Sequence, residues 1–159
     1  MIAPTDSQLW GLVAERRQGV LATIRRDGRP QPSSVLYLPE TSTRSVRIST
    51  TADRLKARNL ARDPRAALHV VGDDFWNYAV AEGTATLSAV ATTPGDDACQ
   101  ALLRVHTAFY GIPEQDAFYR DMIAARRLIV HLHVDHLFGV MVRGGRMPAP
   151  PAGDRASGG

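Results

Sequence analysis

A chain of 159 residues, 44% of them apolar and 22% charged, is long enough for one domain with a sizeable core and has the make-up of an ordinary soluble protein. The formal net charge is only +3, the basic residues are interleaved with acids, and 6% of residues are aromatic, which excludes the basic stripe with stacking rings of a nucleic-acid reader. One cysteine excludes an internal disulfide and fits a reducing cytosol, and no stretch approaches the roughly 18 apolar residues of a membrane span.

The opening MIAPTDSQLWGLVAERR has no basic region leading into an apolar run, so no secretory signal is expected. It predicts a helix from about Asp6 to Arg17, capped by Thr5 or Asp6, with Leu9, Trp10 and Val13 at helical spacing. GVLATIR reads as a first strand, Asp27-Gly28 as a hairpin turn, and PQPSSVLYL as the return strand. Pro30 and Pro32 cannot donate to a ladder, so this second strand is an edge or is bulged. Pro39 to Thr43 turns the chain, and SVRIST is a third strand. A helix over Ala52–Arg62 ends at Asp63-Pro64, because the residue before proline disfavours the helical region.

RAALHVVG and YAVAEGTATLSAV are a fourth and a fifth strand around a DDFWN turn, with Gly83 a candidate bulge. Thr93-Pro94 opens a helix with proline in its first position, reaching about Tyr110. It carries Cys99 as a small buried hydrophobe. Gly111-Ile112-Pro113 breaks it, EQDAFYRDMIAAR is a further helix, and RLIVHLHV is a sixth strand running on towards Val142. The Pro/Gly-rich tail is expected to be disordered over 143–159, leaving one domain over 1–142. Six strands joined mostly by short turns, with one crossing helix, predict a mostly β, six-stranded antiparallel barrel with peripheral helices.

Chemistry concentrates around the only lysine among nineteen basic residues, Lys56. Ser49, Thr50 and Thr51 end a strand just before a helix whose N-terminus presents unpaired N–H groups and a partial positive charge. Those hydroxyls, Arg54 and Lys56 together make a phosphate cradle. Equally, Thr51 caps the helix and the cations form a solvated face.

In RLIVHLHVDH, His131 and His133 share one face of a strand with Asp135, and His136 follows, a donor set that suits zinc or iron. Val130, Leu132 and Val134 as the buried face explain the same alternation, and no metal is expected. Neither a GxSxG elbow nor a nucleotide-binding glycine loop is present, and no acid/base pair stands out, so a cofactor would carry any chemistry. Trp76, in DDFWNY, is either a core residue or a flat face exposed beside a site.

The hairpin VLATIRRDGRPQPSSVLY, then SVRISTTADRLKARNLARDPRAALHV, YAVAEGTATL and YRDMIAARRLIVHLHVDHLFG together resemble the pyridoxamine 5'-phosphate oxidase-like superfamily, a split β-barrel of the FMN-binding type. They are most similar to its branch of deazaflavin reductases that use coenzyme F420. The resemblance implies a homodimer with two cofactor sites at the subunit interface. It places Ser49, Thr50, Thr51, Arg54 and Lys56 on the cofactor phosphate, and Gln31, Pro32, Ser33, Ser34 and Val35 along the ring and ribityl chain. Asn59 matches the asparagine of the helix, and Trp76 would come from the partner subunit. The arginine–x–histidine element of the oxidases proper is missing from HVDHLFGVMV, which argues against vitamin B6 oxidation. PSSVLYL offers serines and Tyr37 where flavin-binding members tend to carry arginine, which favours the deazaflavin over FMN. The implied activity is hydride transfer to a small conjugated C=C or C=N acceptor in the cytoplasm, with no nucleic-acid or membrane partner. An FMN-binding oxidoreductase and a non-enzymatic deazaflavin carrier or sensor are the alternatives.

Overall fold

The computed structural model describes residues 3–142, so the expected disorder of 143–159 lies outside the described residues. Helix α1 spans Asp6–Glu15 and starts on a reciprocal cap: Thr5 Oγ1 accepts from the Gln8 N–H while the Gln8 side chain accepts from the Thr5 N–H. Its face of Leu9, Trp10, Leu12 and Val13 is buried. Strands β1 (Gln18–Ile24) and β2 (Pro30–Leu36) form the expected hairpin, and Gly28 in its turn has φ 84°. Then come β3 (Leu38–Glu40), a 3₁₀ turn over Thr41–Thr43, and β4 (Ser45–Thr51). Helix α2 (Leu55–Arg62) crosses to β5 (Arg65–Val71), which pairs with β6 (Tyr78–Leu87). Helices α3 (Asp97–Tyr110) and α4 (Gln115–Ala124) precede the long β7 (Arg127–Val140).

All pairings are antiparallel in one curled sheet of order β2-β1-β5-β6-β7-β4-β3, the split barrel. The edge position of β2 accommodates its two prolines. Gly83 sits at a register shift between β6 and β7, where an added Cβ would lie 1.7 Å from the His133 carbonyl oxygen, so the expected bulge demands glycine.

Three expectations need correction. The sheet has seven strands, because Leu38, expected to end the second strand, and Pro39–Glu40, expected in a turn, form a separate strand that pairs with Ser45–Arg47. Helix α2 begins at Leu55, with Arg54 and not Thr51 in the capping position. Helix α3 begins after Asp96, whose carboxylate accepts the N–H groups of Thr92, Thr93 and Cys99; Pro94 is left in the preceding turn.

The main core lies inside the curl, with Leu21, Ile48, Leu68, Val70, Val130 and Leu132 closed over by α1. Tyr37 is fully buried there and donates to the Val13 carbonyl at 2.7 Å, which fixes α1 to the barrel. A second cluster packs α3 and α4 against the sheet through Cys99, Leu102, Val105, Phe118 and Ile129. Cys99 is thus the buried hydrophobe expected of it, and burial pushes its thiol pKa up.

Candidate functional site

The site assembles where β2, β4, α2 and the start of β7 meet the α3–α4 hairpin. A cavity of about 370 Å³ lies between them. Ser34, Val35 and Leu36 of β2, Ser49 of β4 and Lys56 of α2 form one wall with Arg127. The register that pairs Thr51 with Arg127 brings this arginine beside the cradle, and its Nε donates to Ser49 Oγ at 3.1 Å. The turn before it holds Arg126 at φ 52°, in the left-handed region, with its carbonyl accepting the Ala52 N–H at 3.0 Å. Leu102, Val105, His106, Phe109, Tyr110, Phe118 and Met122 form the facing wall, and among the described residues no carboxylate lines the cavity.

The electrostatics of the basic wall are one-sided. Lys56 is half-buried and has neither a carboxylate nor a hydrogen-bond acceptor among the described residues; burial, and then the nearby Arg54 charge, hold its ammonium below the usual pKa. Arg54 caps α2 without a side-chain hydrogen bond, and no acid occupies the first turn of the helix. Unpaired N–H groups, a lysine, arginines and hydroxyls together make a donor set for a phosphate. Ser33 Oγ is buried on β2 without a partner among the described residues, outside the cavity lining. These residues fit the phosphate end of a flavin or deazaflavin.

Of the residues singled out by sequence, Ser34, Val35, Ser49 and Lys56 converge on this cavity. Others are placed differently. Thr50 is buried in the sheet interior, 5% exposed. The Thr51 hydroxyl donates to the Asp53 carboxylate, which holds that carboxyl below its usual pKa. Asn59 is 1% exposed; it donates through Nδ2 to Thr23 Oγ1 at 3.1 Å and accepts from Arg62. Thr23 passes the chain on to Gln31 Oε1 at 3.2 Å, so Asn59 and Gln31 pin α2 to the β1–β2 hairpin. Gln31, Pro32 and Ser33 lie along β2 outside the cavity lining. Trp76 is 51% exposed on the β5–β6 loop beside Phe75 at 66%, in edge contact at 5.4 Å, and stands away from this chain's own cavity. Asp74 stiffens that loop by accepting the N–H groups of Trp76 and Asn77, both at 2.9 Å.

Sequence reasoning missed Arg127 and the aromatic wall. Arg127 reads only as the first residue of the sixth strand, and the β4–β7 register reveals its partner. His106 and Tyr110 are spaced i, i+4 on α3, a signal that looks the same for a core face. For the histidines of β7, Val130 and Leu132 are indeed buried between them. His131 Nε2 lies 3.2 Å from Ser45 Oγ and 3.5 Å from Arg47 Nε, and burial and then Arg47 lower its pKa. Among the described residues no group of three or more His, Cys, Asp or Glu side chains could hold a metal ion, and no helix is long and apolar enough to cross a membrane.

The sequence family described as pyridoxamine 5'-phosphate oxidase matches residues 6–140. The chain is similar in structure to a conserved hypothetical protein from Mycobacterium tuberculosis, at 22% identity and a TM-score of 0.65, over 91% of this chain and 94% of that one. It is similar to a protein named as an F420 reductase at 24% identity and a TM-score of 0.61, over 80% and 93% of the two chains. A pyridoxamine 5'-phosphate oxidase-related, FMN-binding protein from Nostoc punctiforme shares the fold at 17% identity and a TM-score of 0.55, over 86% and 84%.

Proposed function

Because this chain belongs to the pyridoxamine 5'-phosphate oxidase family, we propose that it is an oxidoreductase that binds coenzyme F420 and reduces a small conjugated C=C or C=N acceptor. The observation that carries this reading is the half-buried, unpaired Lys56 beside Arg127 in a cavity without carboxylates. An ammonium is not retained in such a place for stability, since burial penalises it and nothing within the described chain offsets the penalty. A bound phosphate does.

Lys56 and Arg127, with Arg54 at the helix start, hold the phosphate. Ser34 and Ser49 offer hydroxyls to the linking chain, and Val35 packs against the ring. When bound, the deazaflavin supplies the hydride; the protein orients the ring, excludes water and holds the acceptor. Serines along β2 in place of a fixed cation support the deazaflavin over FMN, as does the likeness to a protein named as an F420 reductase.

The functional unit in this reading is a homodimer. Phe75 and Trp76 are exposed at one end of an outer sheet face that also presents Val20, Val71 and Phe138. In this reading a two-fold axis across that face would carry Trp76 towards the partner subunit's cavity.

Equilibrium dialysis against coenzyme F420 and against FMN tests the cofactor. Tighter binding of the deazaflavin is expected, and a clear preference for FMN transfers the same site to a flavin oxidoreductase. Light scattering tests assembly: a mass near twice the 17.3 kDa chain is expected, and a monomer at micromolar concentration contradicts the dimer.

A further inference from the structure

The α3–α4 wall of the cavity contains two polar side chains with no assigned task, His106 and the more exposed Tyr110. His106 lines the cavity opposite the basic wall, partly buried, its ring 5.0 Å from Tyr110 and 4.9 Å from Phe118 by centroids. Neither ring nitrogen is engaged by another described residue, although the flanking rings fix the plane of the imidazole. Both neighbours of the wall, Phe109 and Met122, are apolar. An imidazole beside two tilted aromatic rings, with no described partner, is a directional hydrogen-bonding group on a mostly apolar surface, the pattern of a small-molecule site in which a few polar groups set orientation. The cavity, at about 370 Å³, is at the small end of the ~300–1,000 Å³ typical of such sites.

We propose that the α3–α4 hairpin is the acceptor subsite, and that the His106 imidazole donates a hydrogen bond to the carbonyl oxygen of a flat, conjugated carbonyl acceptor. Aromatic faces hold the plane of the acceptor; His106 fixes which end of it faces the hairpin. Phe118 and Tyr110 give planar molecules an advantage over branched aliphatic ones of the same polarity. The assignment rests on the reading of the cavity as the acceptor side of a reductase, yet binding at His106 is measurable without turnover.

The probe is benzalacetone labelled with ¹³C at its carbonyl. Its affinity and carbonyl stretching band are measured on the full-length protein, first alone and then with oxidised coenzyme F420, which has no hydride to give. Wild type should bind the probe with the band shifted to lower frequency than in hydrocarbon solvent. His106→Phe, which keeps the aromatic packing, should weaken binding about 3- to 10-fold, the worth of one neutral hydrogen bond, and abolish the shift. His106→Gln, which restores an N–H donor, should recover part of both. Neither substitution should alter affinity for the cofactor. Equal affinity and an unshifted band in wild type and His106→Phe overturn the proposal, as does a wild type that fails to bind the probe in both states. Failure of the deazaflavin reading shows separately, as absent F420 binding by a wild type that still binds the probe through His106.

Discussion

Helices α2 and α3 start in opposite ways. Helix α3 starts on a carboxylate: Asp96 accepts three backbone N–H groups, and those bonds hold its pKa far below that of an ordinary aspartate. Helix α2 has Arg54 in its N-cap position, just after Asp53, with no side-chain cap and no acid in its first turn, and places Lys56 there without a partner among the described residues. Helices α1 and α4 follow the α3 pattern, capped by Thr5 and Glu114. The difference separates two uses of the same backbone feature. Where the chain satisfies its own helix N-terminus, the end is structural; where it leaves the end uncapped beside cations, the end is open to an anion.

The strongest way to break this contrast is Lys56→Ala. Loss of a charge-assisted hydrogen bond to phosphate, roughly 1.5–3 kcal/mol, should weaken coenzyme F420 binding about 10- to 150-fold. Thermal stability should hold or rise slightly, since an unpaired, half-buried charge is removed. Lys56→Arg should recover only part of the affinity, because a planar fork does not reproduce a point charge in a close cradle. Dialysis and melting curves on the same preparations decide it, and unchanged affinity in Lys56→Ala would make the lysine part of a solvated face.

Asn59, at the buried middle of α2, should behave in the reverse manner. Asn59→Ala removes two side-chain hydrogen bonds, to Thr23 and from Arg62, which keep their bonds to Gln31 and to the Ile24 carbonyl, and should cost about 1–3 kcal/mol of stability in urea titration. Cofactor affinity in the variant that remains folded should move less than threefold, far less than for Lys56→Ala. A large loss of affinity with intact stability would return Asn59 to the cofactor.

The smallest expected effect tests the structural helix. Asp96→Ala should destabilise by about 0.5–2 kcal/mol without altering cofactor binding. The sign with pH follows from the depressed pKa in the folded state: the contribution is full above about pH 4 and is lost progressively as pH falls further. The stability gap between wild type and Asp96→Ala should therefore narrow in acid, and a gap constant from pH 7 to pH 2 would show that the carboxylate charge is not what caps α3.

Much of this molecule is legible in its sequence where the signals are local. The Asp27-Gly28 turn, the prolines of an edge strand and the glycine of a bulge each impose a backbone constraint that one residue type meets. The cation cluster of α2 is legible for the same reason. Strand β3 is hidden because Pro39 reads as a breaker, while the pairing of Leu38 and Glu40 with β4 depends on a partner across a turn. Asn59 carries no sign of its burial, because asparagine on a basic helix looks solvated until β1 supplies Thr23. Arg127 and His106 belong to the site through contacts made across the chain, to β4 and to the cavity between layers. Periodicity within one segment holds no record of those.

The sheet ends at β2 on one side and at β3 on the other, and the cavity lies along the seam where β2 faces β4 without being its ladder neighbour. One edge of β2 therefore has no backbone bond to a neighbouring strand. The seam can open and close by side-chain rearrangement alone, without the cooperative loss of paired amides that parting β1 from β5 would require. Deuterium should enter the outward-facing amides of β2 faster than those of β1, and a ligand that bridges the seam should slow them.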